Sequence, residues 1–354
     1  MSEARTLLLI TKMAQLGDNV SLLPALRALA RRTGAPCLVW TRPNSMKELV
    51  KNLPYIAEVH EFQPFPWRVP YPLSPGQWAW VKRLRGGRFV EVMLWDFKRK
   101  RRDKYLALTA RALGLRSSDQ GCGIRILDDH TNDDRHMTLW GLSAVGESPP
   151  FAPDVFPELA LSADEAATAR LRLEELGWRG EPVITLHPGL GTTQKYGAKT
   201  LDKVLWPVDR WPAVARAVRR ELPGARFLVT GVAGERFLTG RVADLLASQA
   251  GGPVNDLAGL TSLRALIALQ SLAHSYIGLD TGPAHTAAAV GCRTVSIARG
   301  SLPLHWRPVG RRGGVMAHAP WPYPETPTRE AWQAWHRPDM VSADMVIAAW
   351  KSLL

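Results

Sequence analysis

Short aliphatic runs alternate along the chain with segments whose apolar residues recur at helical spacing. The first run, residues 6–11, is bounded by polar residues and predicts a buried parallel strand. A loop that contains Gly17 follows, and leucines then recur at helical spacing up to residue 32. A strand, a glycine-containing loop and a helix in this order are typical of the start of a doubly wound α/β domain. Residues 37–40 and 89–94 predict further strands.

The same alternation starts again in the second half of the chain. Ser162 and Glu165 have the spacing of a capping box and predict a helix over residues 163–176, which Gly177 ends. Further aliphatic runs and amphipathic segments follow in turn, and they predict strands at 183–186, 226–230, 275–279 and 294–298 and helices at 211–221, 235–248, 262–272 and 283–290. Strands that alternate with helices indicate open parallel sheets.

The chain length and a proline-containing stretch at residues 148–157 indicate two domains. We therefore expect an α/β fold with two doubly wound, Rossmann-like domains, residues 1–155 and 156–335, that face each other across a cleft. Residues 336–354 contain a last predicted helix, 343–354, for which we predict packing back on the first domain.

The composition is that of a packed globular protein, with 46% hydrophobic and 22% charged residues, which excludes a disordered chain. The longest aliphatic run, residues 7–10, is far shorter than the about 18 apolar residues of a membrane span. The first residues lack the pattern of a signal peptide. Three widely spaced cysteines without a C-x-x-C pair favour a reducing compartment, so we expect a cytoplasmic protein.

Basic residues outnumber acidic ones by 45 to 32, and this formal net charge of +13 favours polyanionic partners. The densest basic run is residues 98–102, and Lys82, Arg83, Arg85 and Arg88 shortly precede it. Either this run binds an anionic partner or it is a solvated basic face. The sequence contains no helix-turn-helix, RNP or zinc-finger motif, so we expect no nucleic acid among the partners.

Three segments that follow predicted strands of the second half concentrate glycine and polar residues. Ligands of open α/β sheets bind at these carboxyl ends. In the segment 278–285, Gly282 allows close backbone approach, and the start of the next helix is suited to an anion. Thr281 adds a hydroxyl and His285 an imidazole. An ordinary helix capped by Asp280 or Thr281 is the alternative.

The other two segments follow the predicted strands 183–186 and 226–230. Residues 187–195 combine two glycines with Thr192, Thr193 and Lys195, a set that suits oxyanions although the spacing is not that of a P-loop. A flexible surface loop is the alternative. In residues 230–235, Glu235 either accepts hydrogen bonds from ribose hydroxyls or favours a helix start.

Asp18 is the candidate general base of the first half. Pro24, six residues further on, would clash inside a helix capped by Asp18, at a cost of roughly 3 kcal/mol. A helix that begins near Ser21 places Pro24 in the tolerated first turn and leaves Asp18 in the preceding loop, where a carboxylate can take a proton. The alternative is a helix cap. Metal motifs are missing from the sequence, so we expect no metal.

Five segments in order resemble glycosyltransferase family 9, the heptosyltransferases of lipopolysaccharide core assembly. They are residues 16–18 with 23–27, 187–189, 206–207 with 210–211, 257–259 with 261–263, and 280–283 with His285, and they span about residues 6–308. The resemblance implies a GT-B fold, a nucleotide-sugar donor (ADP-heptose in the best-known members), inversion at the anomeric carbon and no cofactor.

Carried over residue by residue, the resemblance makes Asp18 the base that deprotonates the acceptor hydroxyl. Asp280, Thr281 and Gly282 then hold the donor pyrophosphate, and Glu235 meets the ribose. The family has a lysine between the His-Pro-Gly and Trp-Pro segments; here an insertion leaves either Lys195 or Lys203 for that role. The remaining residues assigned to the donor are Thr192, Thr193, Thr261 and His285, and those assigned to the acceptor are Lys98, Arg99 and Arg102.

The sequence thus predicts an inverting, metal-independent transfer of a sugar, heptose from ADP-heptose, to an anionic glycan or glycolipid of the lipopolysaccharide core type. Such an acceptor suits a basic protein in peripheral contact with the inner face of the cytoplasmic membrane. Two alternatives stay open: a nucleotide-sugar epimerase, which needs no acceptor, and a non-catalytic protein that binds a sugar nucleotide or an anionic glycan.

Overall fold

The computed structural model describes residues 5–10, 15–41, 45–61, 82, 89–95, 124–127, 136–149, 155–191, 193 and 204–354. The chain divides into two compact units, Met1–Val155 and Phe156–Leu354. Within the described ranges, no helix is long and apolar enough to cross a lipid bilayer.

The described part of the first unit contains a five-stranded parallel sheet in the order β3-β2-β1-β4-β5. The strands are β1 (Arg5–Ile10), β2 (Cys37–Thr41), β3 (Ile56–Glu61), β4 (Phe89–Trp95) and β5 (Ile124–Leu127). The described helices are α1 (Leu16–Ser21), α2 (Leu23–Thr33), α3 (Met46–Leu49) and α4 (Met137–Ala144). This strand order is that of a doubly wound fold, with the point of reversal between β1 and β4.

The segment around Asp18 differs from the prediction of a loop followed by one helix. Asp18 lies in the first turn of α1, and α2 begins separately at Leu23 with Pro24 in its first turn. Pro24 lacks an N–H and cannot continue the helix before it, so the chain starts a second helix there. A carboxylate in a first turn also interacts favourably with the helix dipole, which explains why α1 extends back over Asp18.

Within its described residues, the second unit contains a six-stranded parallel sheet in the order β11-β10-β9-β6-β7-β8. The strands are β6 (Val183–His187), β7 (Arg226–Val229), β8 (Val254–Asp256), β9 (Ser275–Leu279), β10 (Arg293–Ile297) and β11 (Gly314–Ala317). Numbered within the unit, this is again the doubly wound order, with the reversal between β6 and β9. The prediction of doubly wound α/β sheets is confirmed in both units.

The helices of the second unit follow the predicted alternation. The described ones are α5 (Ala163–Glu175), α6 (Trp211–Glu221), α7 (Arg236–Ala250), α8 (Leu263–Leu272), α9 (Gly282–Ala289), α10 (Pro303–Trp306), α11 (Arg329–Trp335) and α12 (Ala343–Lys351). The predicted capping box is present at the start of α5, where Ser162 and Glu165 hydrogen-bond each other's backbone N–H groups at 3.1 and 2.9 Å. Gly177, with φ of +84°, lies just beyond its end.

Alternate residues of the central strands enter two separate cores on the two faces of the sheet. Ile184, Phe227 and Ile277 pack with α6, α7 and α12, whereas Leu228 and Tyr276 pack with α5, α8 and α9. Strands buried on both faces are largely apolar, which is why β6, β7 and β9 are recognisable as mostly apolar runs.

The C-terminal helix α12 belongs to the second compact unit, and the prediction that it packs back on the first domain stays a prediction. It contacts α6, β10 and β11, and its buried residues Val346 and Trp350 are part of one of the two cores. The indole Nε1 of Trp350 donates a hydrogen bond to Ser275 Oγ at 3.0 Å. The apolar face of α12 therefore completes the cover of the second sheet.

We predict that Trp350→Ala lowers the free energy of unfolding of the second unit by about 3–5 kcal/mol, because it leaves a cavity under the sheet. Urea-induced unfolding followed by circular dichroism measures the change. Leu354→Ala, at a residue of the same C-terminal segment that is 54% exposed, is the matched control and leaves the unfolding curve nearly unchanged. Equal curves for the two variants would contradict the packing of α12.

Candidate functional site

Two of the predicted segments leave the sheet side by side where its strand order reverses. The strands β6 and β9 are neighbours, and His187 at the end of β6 pairs in register with Gly278 of β9. The segment after β6 begins with residues 188–191, and the segment after β9 begins with Asp280. Loops that leave neighbouring strands at such a point separate and form a crevice, which is the usual ligand site of open α/β sheets.

The start of α9 has the features of an anion site. Thr281 occupies the N-cap position, but its side chain makes no capping hydrogen bond, and its Oγ1 donates to the carbonyl of Leu279 at 3.2 Å. The alternative of an ordinary helix capped by Asp280 or Thr281 is therefore not what the structure shows. An uncapped helix start carries partial positive charge and unsatisfied N–H groups that suit a phosphate.

The carboxyl group of Asp280 is held inside the protein beside this helix start. The residue is 7% exposed. Burial raises the pKa of the Asp280 carboxyl, while a hydrogen bond from Ser301 and the charge of Arg299 act in the opposite direction. Arg299 also donates from Nε to the Asp280 carbonyl at 3.1 Å. Arg299 and Ser301 thus fix the backbone and the side chain that precede Thr281.

Glu235 holds the segment after β6 in place. Its Oε1 accepts hydrogen bonds from Thr193 Oγ1 and from the backbone N–H groups of Leu190 and Gly191 at 2.7 and 2.8 Å. Its Oε2 accepts from the N–H of Val232 at 3.0 Å. The residue is fully buried in this structure. Its carboxylate thus faces the loop; the predicted contact with ribose stays a prediction.

The environment of Glu235 keeps it ionised. Burial acts to raise the pKa of the carboxyl, but the hydrogen bonds from Thr193, Val232 and Gly191 lower it below its ordinary value. Gly189 leaves room for the carboxylate, since a Cβ there would lie 2.5 Å from the Cδ of Glu235. The glycines of this segment thus permit close approach of a buried charge.

His187 is neutral, and its tautomer is assigned by its neighbours. Burial lowers the pKa of the imidazole, although the charge of Glu235 opposes this. Thr230 Oγ1 donates its proton to the Leu186 carbonyl at 2.9 Å, so it accepts from His187 Nδ1 at 3.0 Å. The Nδ1–H tautomer follows, and the hydrogen bond joins the ends of β6 and β7.

Two other residues assigned to the donor lie in the second unit. His285 is buried in α9, and Thr261 lies half-buried just before α8. The helix α9 is fixed to α8 by Gln270, whose Nε2 donates to the Pro283 carbonyl at 3.0 Å and whose Oε1 accepts from Thr286 at 2.8 Å. The structure thus brings Thr281 and Gly282 to the end of β9; their roles stay predictions.

Asp18 is half-buried in the first unit, in the helix that follows the central strand β1. The other assigned residues lie outside the described residues: Thr192, Lys195, Lys203, Lys98, Arg99 and Arg102.

Sequence reasoning overlooked Arg299 and Ser301. Both residues follow β10, the strand beside β9. Because ligands bind at the carboxyl ends of strands, their position after a predicted strand is the signal that could have found them.

Comparisons with known proteins identify the family and the fold. The family model of glycosyltransferase family 9 (heptosyltransferase) matches residues 149–336. The structure of E. coli ADP-heptose LPS heptosyltransferase II is similar, with 16% identity and a TM-score of 0.68 over 98% of both chains. A glycosyltransferase family 9 structure from Veillonella parvula has 15% identity and a TM-score of 0.67 over 100% of this chain and 98% of that chain.

A third similar structure is E. coli heptosyltransferase WaaC with ADP, at 17% identity and a TM-score of 0.62 over 99% of this chain and 100% of that chain. No curated protein matches the sequence. At these identities the likeness establishes the fold, which is GT-B.

We predict that Glu235→Gln lowers the free energy of unfolding by about 1–3 kcal/mol or more, because an amide offers one acceptor oxygen to four buried donors. Thermal unfolding measures the change, and Glu174→Gln on the exposed face of α5 is the control. Folding lowers the Glu235 pKa, so its stabilisation is complete above the ordinary glutamate pKa of about 4.3. The difference from wild type should shrink as the pH falls further; a difference that grows in acid would contradict this role.

Proposed function

The chain belongs to glycosyltransferase family 9, whose model covers 188 of its 354 residues, and from this we propose that it transfers heptose from ADP-heptose to an anionic acceptor of the lipopolysaccharide core type. We further propose that the transfer inverts the anomeric carbon and needs no metal. The observation that carries the proposal is the uncapped start of α9, which lies at the reversal of the second sheet.

The donor site that we propose is built on this helix start. Thr281 and Gly282 bind the diphosphate, Asp280 supports them, and either Lys195 or Lys203 adds a positive charge. The nucleoside and sugar contact the other assigned residues of this unit: Thr192, Thr193, Glu235, Thr261 and His285. Structures of WaaC with ADP and with ADP-2-deoxy-2-fluoro heptose support the choice of ADP-heptose.

In the proposed reaction the nucleoside diphosphate is the leaving group. The acceptor oxygen attacks the anomeric carbon from the opposite face, a carbon–oxygen bond to the acceptor forms, and the bond to the diphosphate oxygen breaks. Asp18 takes the proton of the acceptor hydroxyl. The negative charge that develops on the diphosphate is stabilised by the N–H groups and dipole of α9 and by the lysine.

The acceptor that we propose is an anionic glycolipid at the inner face of the cytoplasmic membrane, bound in part by Lys98, Arg99 and Arg102. The net charge of +13 supports such a partner. A basic side chain near an anionic membrane surface contributes about 1 kcal/mol, which salt reduces within a Debye length. The protein would then work in the cytoplasm, in peripheral contact with the membrane.

We predict that the protein transfers heptose from ADP-heptose to the acceptor in the presence of EDTA, and that Asp18→Asn lowers kcat by about 10²–10⁴-fold with little change in ADP affinity. Transfer of radiolabelled heptose measures the rate. Asp164→Asn is the matched control, because Asp164 also lies in the first turn of a helix, and it should retain wild-type turnover.

Three results would contradict this proposal. Isomerisation of the donor without acceptor would indicate an epimerase, and donor binding without turnover would indicate a non-catalytic binding protein. Near-normal turnover of Asp18→Asn would limit Asp18 to stabilising α1.

We predict that joint replacement of Lys98, Arg99 and Arg102 by glutamine weakens binding to phosphatidylglycerol vesicles by on the order of tenfold to a hundredfold at low salt. The KM for acceptor should rise and the KM for donor stay unchanged. Joint replacement of the exposed Arg216, Arg220 and Arg241 removes the same charge and is the control. Equal effects of the two triple variants would mean that net charge alone matters and that residues 98–102 are a solvated basic face.

A further inference from the structure

The hydroxyl of Tyr276 is buried and lacks a hydrogen bond of good geometry. The residue lies in β9 with none of its surface exposed, and its ring packs in the core with Ala284 and Ala287 of α9. Among the described residues, none is in good hydrogen-bond geometry with its Oη. A buried hydroxyl that gives up water without gaining a partner is costly, so its presence calls for an explanation.

The hydroxyl of Tyr276 lies under the start of α9. Gly278 is two residues further on and therefore on the same face of the strand. A Cβ on Gly278 would lie 2.7 Å from the Cζ of Tyr276 and closer still to its Oη. The ring thus extends over Gly278 towards the carboxyl end of β9, and its hydroxyl faces that of Thr281.

Thr281 has a single hydroxyl proton, and in this structure it donates that proton to the Leu279 carbonyl. An anion at the start of α9 is a stronger acceptor than a carbonyl, because hydrogen bonds to charged groups are shorter and about twice as strong. When the Thr281 hydroxyl rotates so that its proton points to the anion, its lone pairs rotate with it, and one of them can then point to the Tyr276 hydroxyl. The buried hydroxyl of Tyr276, which faces Thr281, is a donor that needs such an acceptor.

We propose that Tyr276 is a positioning residue of the donor site: when the diphosphate binds, its hydroxyl donates to Thr281 Oγ1 while Thr281 donates to a phosphate oxygen. The inference rests on the proposed function. Two hydrogen bonds in a chain polarise each other and strengthen the contact with the phosphate. Burial raises the pKa of the Tyr276 hydroxyl far above the physiological range, so it stays a donor.

The test is Tyr276→Phe, which removes the hydroxyl and retains the ring. The free variant should unfold at the wild-type temperature or up to about 4 °C higher, because it no longer buries an unpaired hydroxyl. Its Kd for ADP, measured by calorimetry, should nevertheless rise about two- to tenfold, the range for one hydrogen bond. If Tyr276 only packed in the core, Tyr276→Phe would not weaken ADP binding and at the same time stabilise the free protein.

A double-mutant cycle with Thr281→Val shows whether Tyr276 acts through Thr281. Tyr276→Phe should have no effect on ADP affinity in the Thr281→Val background. Tyr323→Phe, at a tyrosine that is 56% exposed, is the control and should bind ADP like wild type. ADP binding by wild type with an unchanged Kd in Tyr276→Phe would overturn this inference alone, whereas a wild-type protein that does not bind ADP would overturn the proposed function as well.

Discussion

The parallel pairing of β6 with β9 is the constraint on which the candidate site depends. All strands of the second sheet end at one edge, but the helices that follow these two strands pack on opposite faces, α6 on one and α9 on the other. The chain must therefore separate above the sheet at this one place. The order of strands and helices along the chain places the uncapped start of α9 at this point. The topology thus provides the crevice, and Thr281 and Gly282 provide the groups that suit a phosphate.

Buried polar groups then give this edge its shape. The carboxylate of Glu235 accepts four hydrogen bonds from two different loops. The hydrogen bond between His187 and Thr230 joins the ends of β6 and β7. These groups are shielded from water, so each hydrogen bond is stronger than on the surface and each missing one costs more. The network therefore fixes the loops before any ligand arrives, as electrostatic catalysis requires. The buried hydroxyl of Tyr276 differs from these groups, because no described residue is in good hydrogen-bond geometry with it.

The elements that the sequence reveals are those whose burial leaves a periodic pattern. Strands β6, β7 and β9 are buried on both faces and are recognisable as mostly apolar runs, whereas β8 and β11 are short edge strands with few large apolar residues and are missing from the predicted strands. At the candidate site, too, the sequence reveals only what leaves a local pattern. Strand ends locate the loops, but the contact of Glu235 with Gly191, 44 residues away, depends on how two loops meet in space.

The close approach of Tyr276 to Gly278 has an evolutionary consequence. Any side chain at position 278 would occupy the space of the tyrosine Oη, so the two positions are not free to vary one at a time. A homologue with alanine at position 278 needs a smaller residue at position 276 and also a shift of the His187 carbonyl oxygen, which would lie 2.9 Å from the new Cβ. Substitutions at these two positions should therefore covary across the family, with tyrosine present only where glycine stands two residues later.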